Sequence, residues 1–159
     1  MRVRSVEDSR VIKTEMVMPN DTNPLGYIMG GRVLHHIDVA AAIAAGRHAG
    51  RPAVTATIDE IVFHRPVPMG CVLVVLASVN HAGRSSMEVG VRVEMEDRPS
   101  GERRHCASAY LTFVAGDRDG APTPVPRLAA RTPEEKRRMR EAEERRALRL
   151  ERRARKPKP

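Results

Sequence analysis

The chain has 159 residues, the length of one domain, and 41% of them are hydrophobic, yet there is no Trp and only two Phe and two Tyr, so the core must be aliphatic. The net charge of +8 is unevenly placed: from Arg131 onward thirteen Lys and Arg face six Glu (net +7), whereas residues 1–130 carry fifteen basic and fourteen acidic residues (net +1). A body this close to neutral argues against a domain-wide grip on nucleic acid and assigns the basicity to a C-terminal tail.

The N-terminal stretch MRVRSVEDSR has no apolar core like that of a signal peptide, and nowhere do eighteen apolar residues run together, so a soluble, cytoplasmic protein is expected. Residues 1–9 are charged and read as loose. Val11 to Met18 is a short strand closed by Pro19. The run Asn20-Asp21-Thr22-Asn23-Pro24-Leu25-Gly26 favours side-chain to backbone hydrogen bonds over regular structure. It leads through Gly30-Gly31 into an alanine-rich segment, Val33–Ala45, that predicts a helix buried over most of its circumference and ending near Gly46–Gly50.

Beyond Pro52 the pattern becomes that of strands. Ala53–Phe63 is rich in β-branched residues, Val72–Val79 is continuously apolar after a turn at Pro68-Met69-Gly70, and Met87–Glu96 alternates apolar and polar. Glu102–Ala115 is the last strand, and across the turn Arg98-Pro99-Ser100-Gly101 its simplest partner is Met87–Glu96 in an antiparallel hairpin. Cys71 and Cys106 lie in apolar strand-like runs and read as buried free thiols. The fold class is therefore α+β, a long central helix against a sheet of about five mostly antiparallel strands. A helix so apolar needs a strongly curved sheet, and dimerisation would complete its cover. Residues 117–130, with Pro122, Pro124 and Pro126, read as a linker. Thr132-Pro133-Glu134-Glu135 then starts a charged helix to about residue 154, with Glu134–Arg138, Glu141–Arg145 and Glu151–Arg155 at i,i+4. Its thin apolar stripe predicts a solvated helix packed lightly on the body. It lacks aromatic interleaving, so no nucleic-acid partner is expected.

One residue in the helix is out of character. Asp38 is the only acid between Val33 and Ala45, and it lies two turns from Gly31, on the same face. The helix start offers free N–H groups that glycines leave approachable, about 10 Å along that face from the carboxylate. The pair suits acyl transfer; equally, the glycines suit a helix-entry turn and Asp38 a pairing with an arginine or a backbone donor.

The pattern Asp21-Thr22-Asn23-Pro24-Leu25-Gly26…Gly30-Gly31…Asp38 resembles the opening of hotdog-fold acyl-CoA thioesterases, in the bacterial short-chain group related to brain acyl-CoA hydrolase. Further matches are Val54-Thr55-Ala56, Phe63-His64-Arg65-Pro66-Val67, Gly83-Arg84-Ser85-Ser86-Met87-Glu88 and Ala107-Ser108-Ala109-Tyr110 through Val114, so the likeness spans nearly the whole chain. The resemblance implies a hotdog domain over residues 1–128, followed over 129–159 by a Pro-rich linker and the basic helical tail. It implies a homodimer, assembled further into a trimer of dimers, with the active site at the dimer interface.

On the matching residues, it makes Asp38 the catalytic carboxylate, Asn23 the residue facing it from the other subunit, and Gly31 the oxyanion donor at the helix start. It places Gly30, Thr55, Arg65, Gly83, Arg84, Ser85 and Ser86 along the CoA and substrate path. Asp38 would act as general base or as nucleophile, and the Gly31 region would stabilise the oxyanion. Acyl-CoA is the substrate; no cofactor and no metal are expected. His35 and His36 stand outside the family pattern. The alternatives are an acyl-CoA-binding protein without hydrolysis, or a dehydratase, for which a His in the helix-entry loop would be expected; residues 19–31 contain none.

Overall fold

Alternation of apolar and polar residues becomes one antiparallel sheet in the computed structural model, which describes residues 2–157. In chain order the strands are β1 (Val3–Ser5), β2 (Val11–Met16), β3 (Ala53–Phe63), β4 (Val72–Ala82), β5 (Ser86–Glu96), β6 (Arg103–Ala115) and β7 (Arg127–Ala129). Five of them form the sheet in the order β2-β4-β5-β6-β3. The expected β5–β6 hairpin is present, with Glu96 opposite Arg103 and Ser86 opposite Val114.

The helix α1 (Gly30–Ala49) runs across the sheet's inner face and ends at Gly50, whose φ of 69° is the left-handed conformation that closes helices. Ala40, Ala41, Ala44 and Ala45, all fully buried, let it sit close to the strands, while Val33 and Ile37 fill the space nearer its start. The result is the hotdog arrangement of a long central helix against a curved antiparallel sheet. No helix of the described residues is long and apolar enough to cross a membrane.

The helix is not covered all round. Ile43 is 42% exposed, and the edge strand β3 leaves Val54 68% and Phe63 52% exposed, with Ile58 and Val62 also open. Edge strands are normally blunted by charge or by bulges. β3 has two register shifts, at Thr55/Thr57 and Ile58/Glu60, but its apolar residues remain open.

Two expectations fail at the chain ends. The first nine residues are not loose: β1 pairs in parallel with β7, inside the segment read as a linker, so the expected boundary at 128/129 falls within a strand. A Ser5–Asp8 hydrogen bond of 2.9 Å shapes the turn between β1 and β2, and the buried Ser9 hydroxyl receives Val79 N. Buried His48 bonds through Nε2 to Pro126 O at 2.9 Å, fixing the proline-rich segment against the end of α1.

Nor is the C-terminal helix α2 (Pro133–Arg155) merely solvated; it lies across the outer face of the sheet, with Ala142 fully buried. Its Thr132–Glu135 capping box forms as expected. Of the three expected i,i+4 pairs only Glu134–Arg138 is made among the described residues. Glu141 pairs with Arg137 instead, and Arg145 turns inward to grip the buried Glu88 with two bonds of 2.8 and 3.1 Å while lying over the Tyr110 ring. Arg149 binds Asp59 at 2.9 Å. A carboxylate buried as Glu88 is must be paired, and that need draws α2 onto the sheet. The last two residues of the expected tail lie outside the described residues.

Arg145→Ala strands Glu88 as an unpaired buried charge and is expected to destabilise the fold by about 3 kcal/mol. Adding Glu88→Gln should recover most of the loss in urea denaturation. An unchanged midpoint for the single variant would contradict the latch.

Candidate active site

The polar run before α1 folds into a tight loop of self-satisfied hydrogen bonds. Asp21 receives Met18 N at 3.0 Å and pairs with Arg32 at 3.2 Å, and its carbonyl receives Met29 N. Asn23 turns the chain: its Oδ1 accepts from Leu25 N at 3.0 Å and Tyr27 N at 3.1 Å, while Gly26, with φ of 81°, bonds back to Asn23 O. The asparagine side chain can both donate and accept. Its oxygen is committed to the loop, so the side-chain NH2, with no acceptor among the described residues, is the group available to a ligand.

The helix begins without a side-chain cap at Met29. Arg32 N and Val33 N both bond to Met29 O, at 2.9 and 3.2 Å, whereas Gly30 N and Gly31 N have no acceptor among the described residues. A methyl group added at Gly31 would meet nothing within 4 Å, so this end is open to a ligand. Two free N–H groups and the positive end of a twenty-residue helix converge there. Beside them is a cavity of about 330 Å³, lined by Asn23, Gly30, Val33, Phe63, Arg65 and Cys106. Burial pushes the Cys106 thiol up, which disfavours its thiolate.

Asp38 lies elsewhere. Half-buried on α1, it accepts a hydrogen bond of 2.7 Å from Thr55 Oγ1 on β3 and makes no ion pair among the described residues. The alternative in which an arginine neutralises it is therefore not what the fold builds. Thr55 stands opposite Phe113, which faces Met87, one residue from the turn at Gly83–Ser86. Phe63 stands opposite Ala107, which faces Val93, at the far end of the sheet. Eight residues of strand, roughly 26 Å, separate the two ends of β3, while along α1 the seven residues from Gly31 to Asp38 span about 10 Å.

The candidate residues thus divide into two groups within one chain. Asp38, Thr55, Gly83, Arg84, Ser85 and Ser86 share one end of β3; Asn23, Gly30, Gly31 and Arg65 share the other. The turn is held by Gly83 N to Ser86 O at 2.8 Å, and by Val125 N and Ala115 N bonding to the carbonyls of Arg84 and Ser85, which leaves the Arg84 side chain exposed. His35 is exposed, and His36 lies 2.9 Å from Lys13 Nζ. Burial, with the Lys13 charge, holds His36 below the ordinary histidine range. A feature the sequence did not single out is the His64–His105 ring pair, 4.7 Å apart between centroids, at the strand end that carries the cavity. Burial and the Arg92 charge lower His105. Among the described residues there is no group of three or more His, Cys, Asp or Glu placed to hold a metal.

Comparison with known proteins places this geometry in context. The model of the family described as thioesterase superfamily matches residues 25–102. A Bacillus subtilis protein named uncharacterized acyl-CoA thioester hydrolase YkhA is 42% identical over 132 residues, 83% of this chain and 77% of that protein. The crystal structure of an apo hexameric acyl-CoA thioesterase superposes with a TM-score of 0.94 at 43% identity, covering 98% of this chain and 100% of that one. An acyl-CoA hydrolase from Staphylococcus aureus, solved with butyryl-CoA, CoA and CoA disulfide, gives 0.90 at 38% identity over 96% of this chain and 93% of that one. The staphylococcal protein has also been solved with a single asparagine, aspartate or threonine changed to alanine. Those three positions are separated by 15 and 17 residues, the spacing of Asn23, Asp38 and Thr55.

Gly31→Ala gives a prediction specific to the open helix end. The methyl clashes with nothing and improves helix propensity by up to about 1 kcal/mol, so thermal unfolding should hold or rise. The Cβ tilts toward the helix N-terminus, in front of the two free N–H groups, so binding or turnover at this end should fall. A loss of stability would contradict the open-space reading.

Proposed function

The chain belongs to the thioesterase superfamily, and on that premise we propose that it hydrolyses acyl-CoA to a free carboxylic acid and CoA at a site built from Asp38, Thr55, Asn23 and the Gly31 end of α1. The observation that carries this reading is the bond of 2.7 Å from Thr55 to Asp38, which fixes a carboxylate that no cation among the described residues neutralises. With Oδ1 receiving the threonine hydroxyl, Oδ2 is left to act. As general base it takes a proton from a water that attacks the thioester carbonyl. The carbonyl oxygen gains negative charge, the C–S bond breaks, and the proton passes from Asp38 to the departing thiolate. If Oδ2 attacks directly, the same residues give a mixed anhydride that water then opens. In a single turnover in ¹⁸O-water, label in Asp38 identifies an anhydride opened at the aspartyl carbonyl, whereas direct attack by water labels only the released acid. The free N–H groups of Gly30 and Gly31 supply the oxyanion site, and the Asn23 NH2 holds the thioester or the water in line.

These groups come together between two subunits. Antiparallel pairing of two β3 edges about a two-fold axis sets the Thr55 end of one strand against the Phe63 end of its partner. It covers Val54, Ile58, Val62 and Phe63, and it brings Asp38 of each subunit toward Asn23 and Gly31 of the other. Three such dimers make the hexamer. The body through β7 carries the chemistry and the chain beyond it, with α2, forms a docked arm; the enzyme works in the cytoplasm and needs no cofactor beyond the CoA of its substrate. Gly83–Ser86 and Arg65 lie along the CoA path.

Thiol release from a panel of acyl-CoAs tests the reading. Wild type should hydrolyse at least one of them, and Asp38→Ala should lose about 100-fold or more in kcat, the scale on which loss of a general base acts, while remaining folded. A wild type inert toward every chain length would overturn it.

A further inference from the structure

The arm α2 turns an unusual face toward the protein. Its last three turns line a groove of about 920 Å³ against β3, with Thr57, Ser86, Arg146, Arg152, Arg153 and Lys156 among the residues around it. Arg145 and Arg149, which also line it, are satisfied by Glu88 and Asp59. Arg146, Arg152, Arg153 and Lys156 have no carboxylate partner among the described residues, and Glu60 is the groove's remaining acid. Arg146, partly buried, and the exposed Arg152, Arg153 and Lys156 ring one concavity, an arrangement that a multiply charged anion stabilises.

We propose that this groove is the clamp for the nucleotide end of the CoA substrate, with Arg152 and Arg153 as its phosphate ligands. The inference rests on the acyl-CoA reading and deepens it. The groove takes in Ala56 and Thr57, the residues that follow Thr55, and Ser86 at the turn on the Asp38 end of the sheet. Arg146 lies beside that turn: a methyl added at Gly83 would sit 3.9 Å from its Nε. An acyl-CoA with its thioester at Asp38 therefore has only the sheet end at Gly83–Ser86 to round, along its flexible pantetheine arm, before its phosphates meet the arginines. Guanidinium forks suit the 3′-phosphate and diphosphate groups geometrically as well as electrostatically. The basicity of the tail then serves substrate capture, and the Glu88 and Asp59 bonds hold the clamp in place.

The test compares Arg152→Gln/Arg153→Gln with wild type on an acyl-CoA and on the same acyl group carried by N-acetylcysteamine, which lacks the nucleotide. Arg145 and Arg149 are kept so that the arm stays docked, and Arg98→Gln/Arg118→Gln, which removes two exposed charges elsewhere, serves as control. KM for the acyl-CoA should rise at least about ten-fold, the scale of a single lost charge-assisted hydrogen bond, with kcat within about two-fold. The N-acetylcysteamine thioester should be turned over equally by both proteins, and the control should match wild type. Calorimetry with adenosine 3′,5′-bisphosphate should show binding to wild type that the double variant loses. Unchanged KM and unchanged bisphosphate binding would overturn the clamp, as would an equal loss on both thioesters or binding of duplex DNA that the bisphosphate does not displace. A wild type that hydrolyses neither thioester would sink the hydrolase reading instead, with the bisphosphate titration still deciding whether the groove is a nucleotide site.

Discussion

The hydrogen bond between Thr55 and Asp38 ties the central helix to the edge of the sheet, and much of the molecule is arranged around it. A carboxylate on a helix packed through alanines is costly unless it is hydrogen-bonded. A lone threonine hydroxyl satisfies one oxygen and leaves the other reactive, where an arginine would have neutralised both. The bond also dictates where β3 must lie, at the sheet's edge, with Val54 and Ile58 left uncovered on the same strand. An edge that exposes apolar residues beside a half-satisfied carboxylate suits the proposed pairing of subunits, with Asn23 and Gly31 standing at the opposite end of the same strand.

That separation explains features that look unrelated in one chain. The helix start is uncapped, so its N–H groups stay open to the ligand the proposed site calls for; a Ser or Asp at Met29 would have occupied one of them. Asn23 commits its oxygen to Leu25 and Tyr27, which orients the NH2 without leaving a buried polar atom unpaired. The turn at Gly83–Ser86 is pinned by the segment that leads to α2, so the groove's two walls are joined through the backbone. The latch of Arg145 on Glu88 keeps the arm on the body.

Much of the fold was legible in the sequence because its signals are local. The period of two in Met87–Glu96, the alanines of α1 and the Thr132 capping box each specify structure within a few residues. What escaped local reading depends on distant partners. β1 forms because Val3–Ser5 finds Arg127–Ala129, more than 120 residues on, and neither stretch alternates strongly. Arg145 forsakes the nearby Glu141 for Glu88 because a buried carboxylate competes better for a guanidinium than an exposed one. The site divides along the same line: Asp38 is conspicuous as the lone acid of its segment, and Asn23 sits in a recognisable turn. The partnership with Thr55, and the split of the site between the two ends of β3, exist only once the strands are in register.

The central claim is that each active site takes Asp38 and Thr55 from one subunit and Asn23 and Gly31 from its partner. Tandem fusions that join an Asp38→Ala subunit to an Asn23→Ala subunit, so that every dimer of the hexamer is mixed, test it directly. Each such dimer holds one site lacking both residues and one intact site, so it should show about half of wild-type thioester hydrolysis although each parent is nearly inactive. Mixed dimers as inactive as their parents would place both residues in a site within one chain and contradict the account.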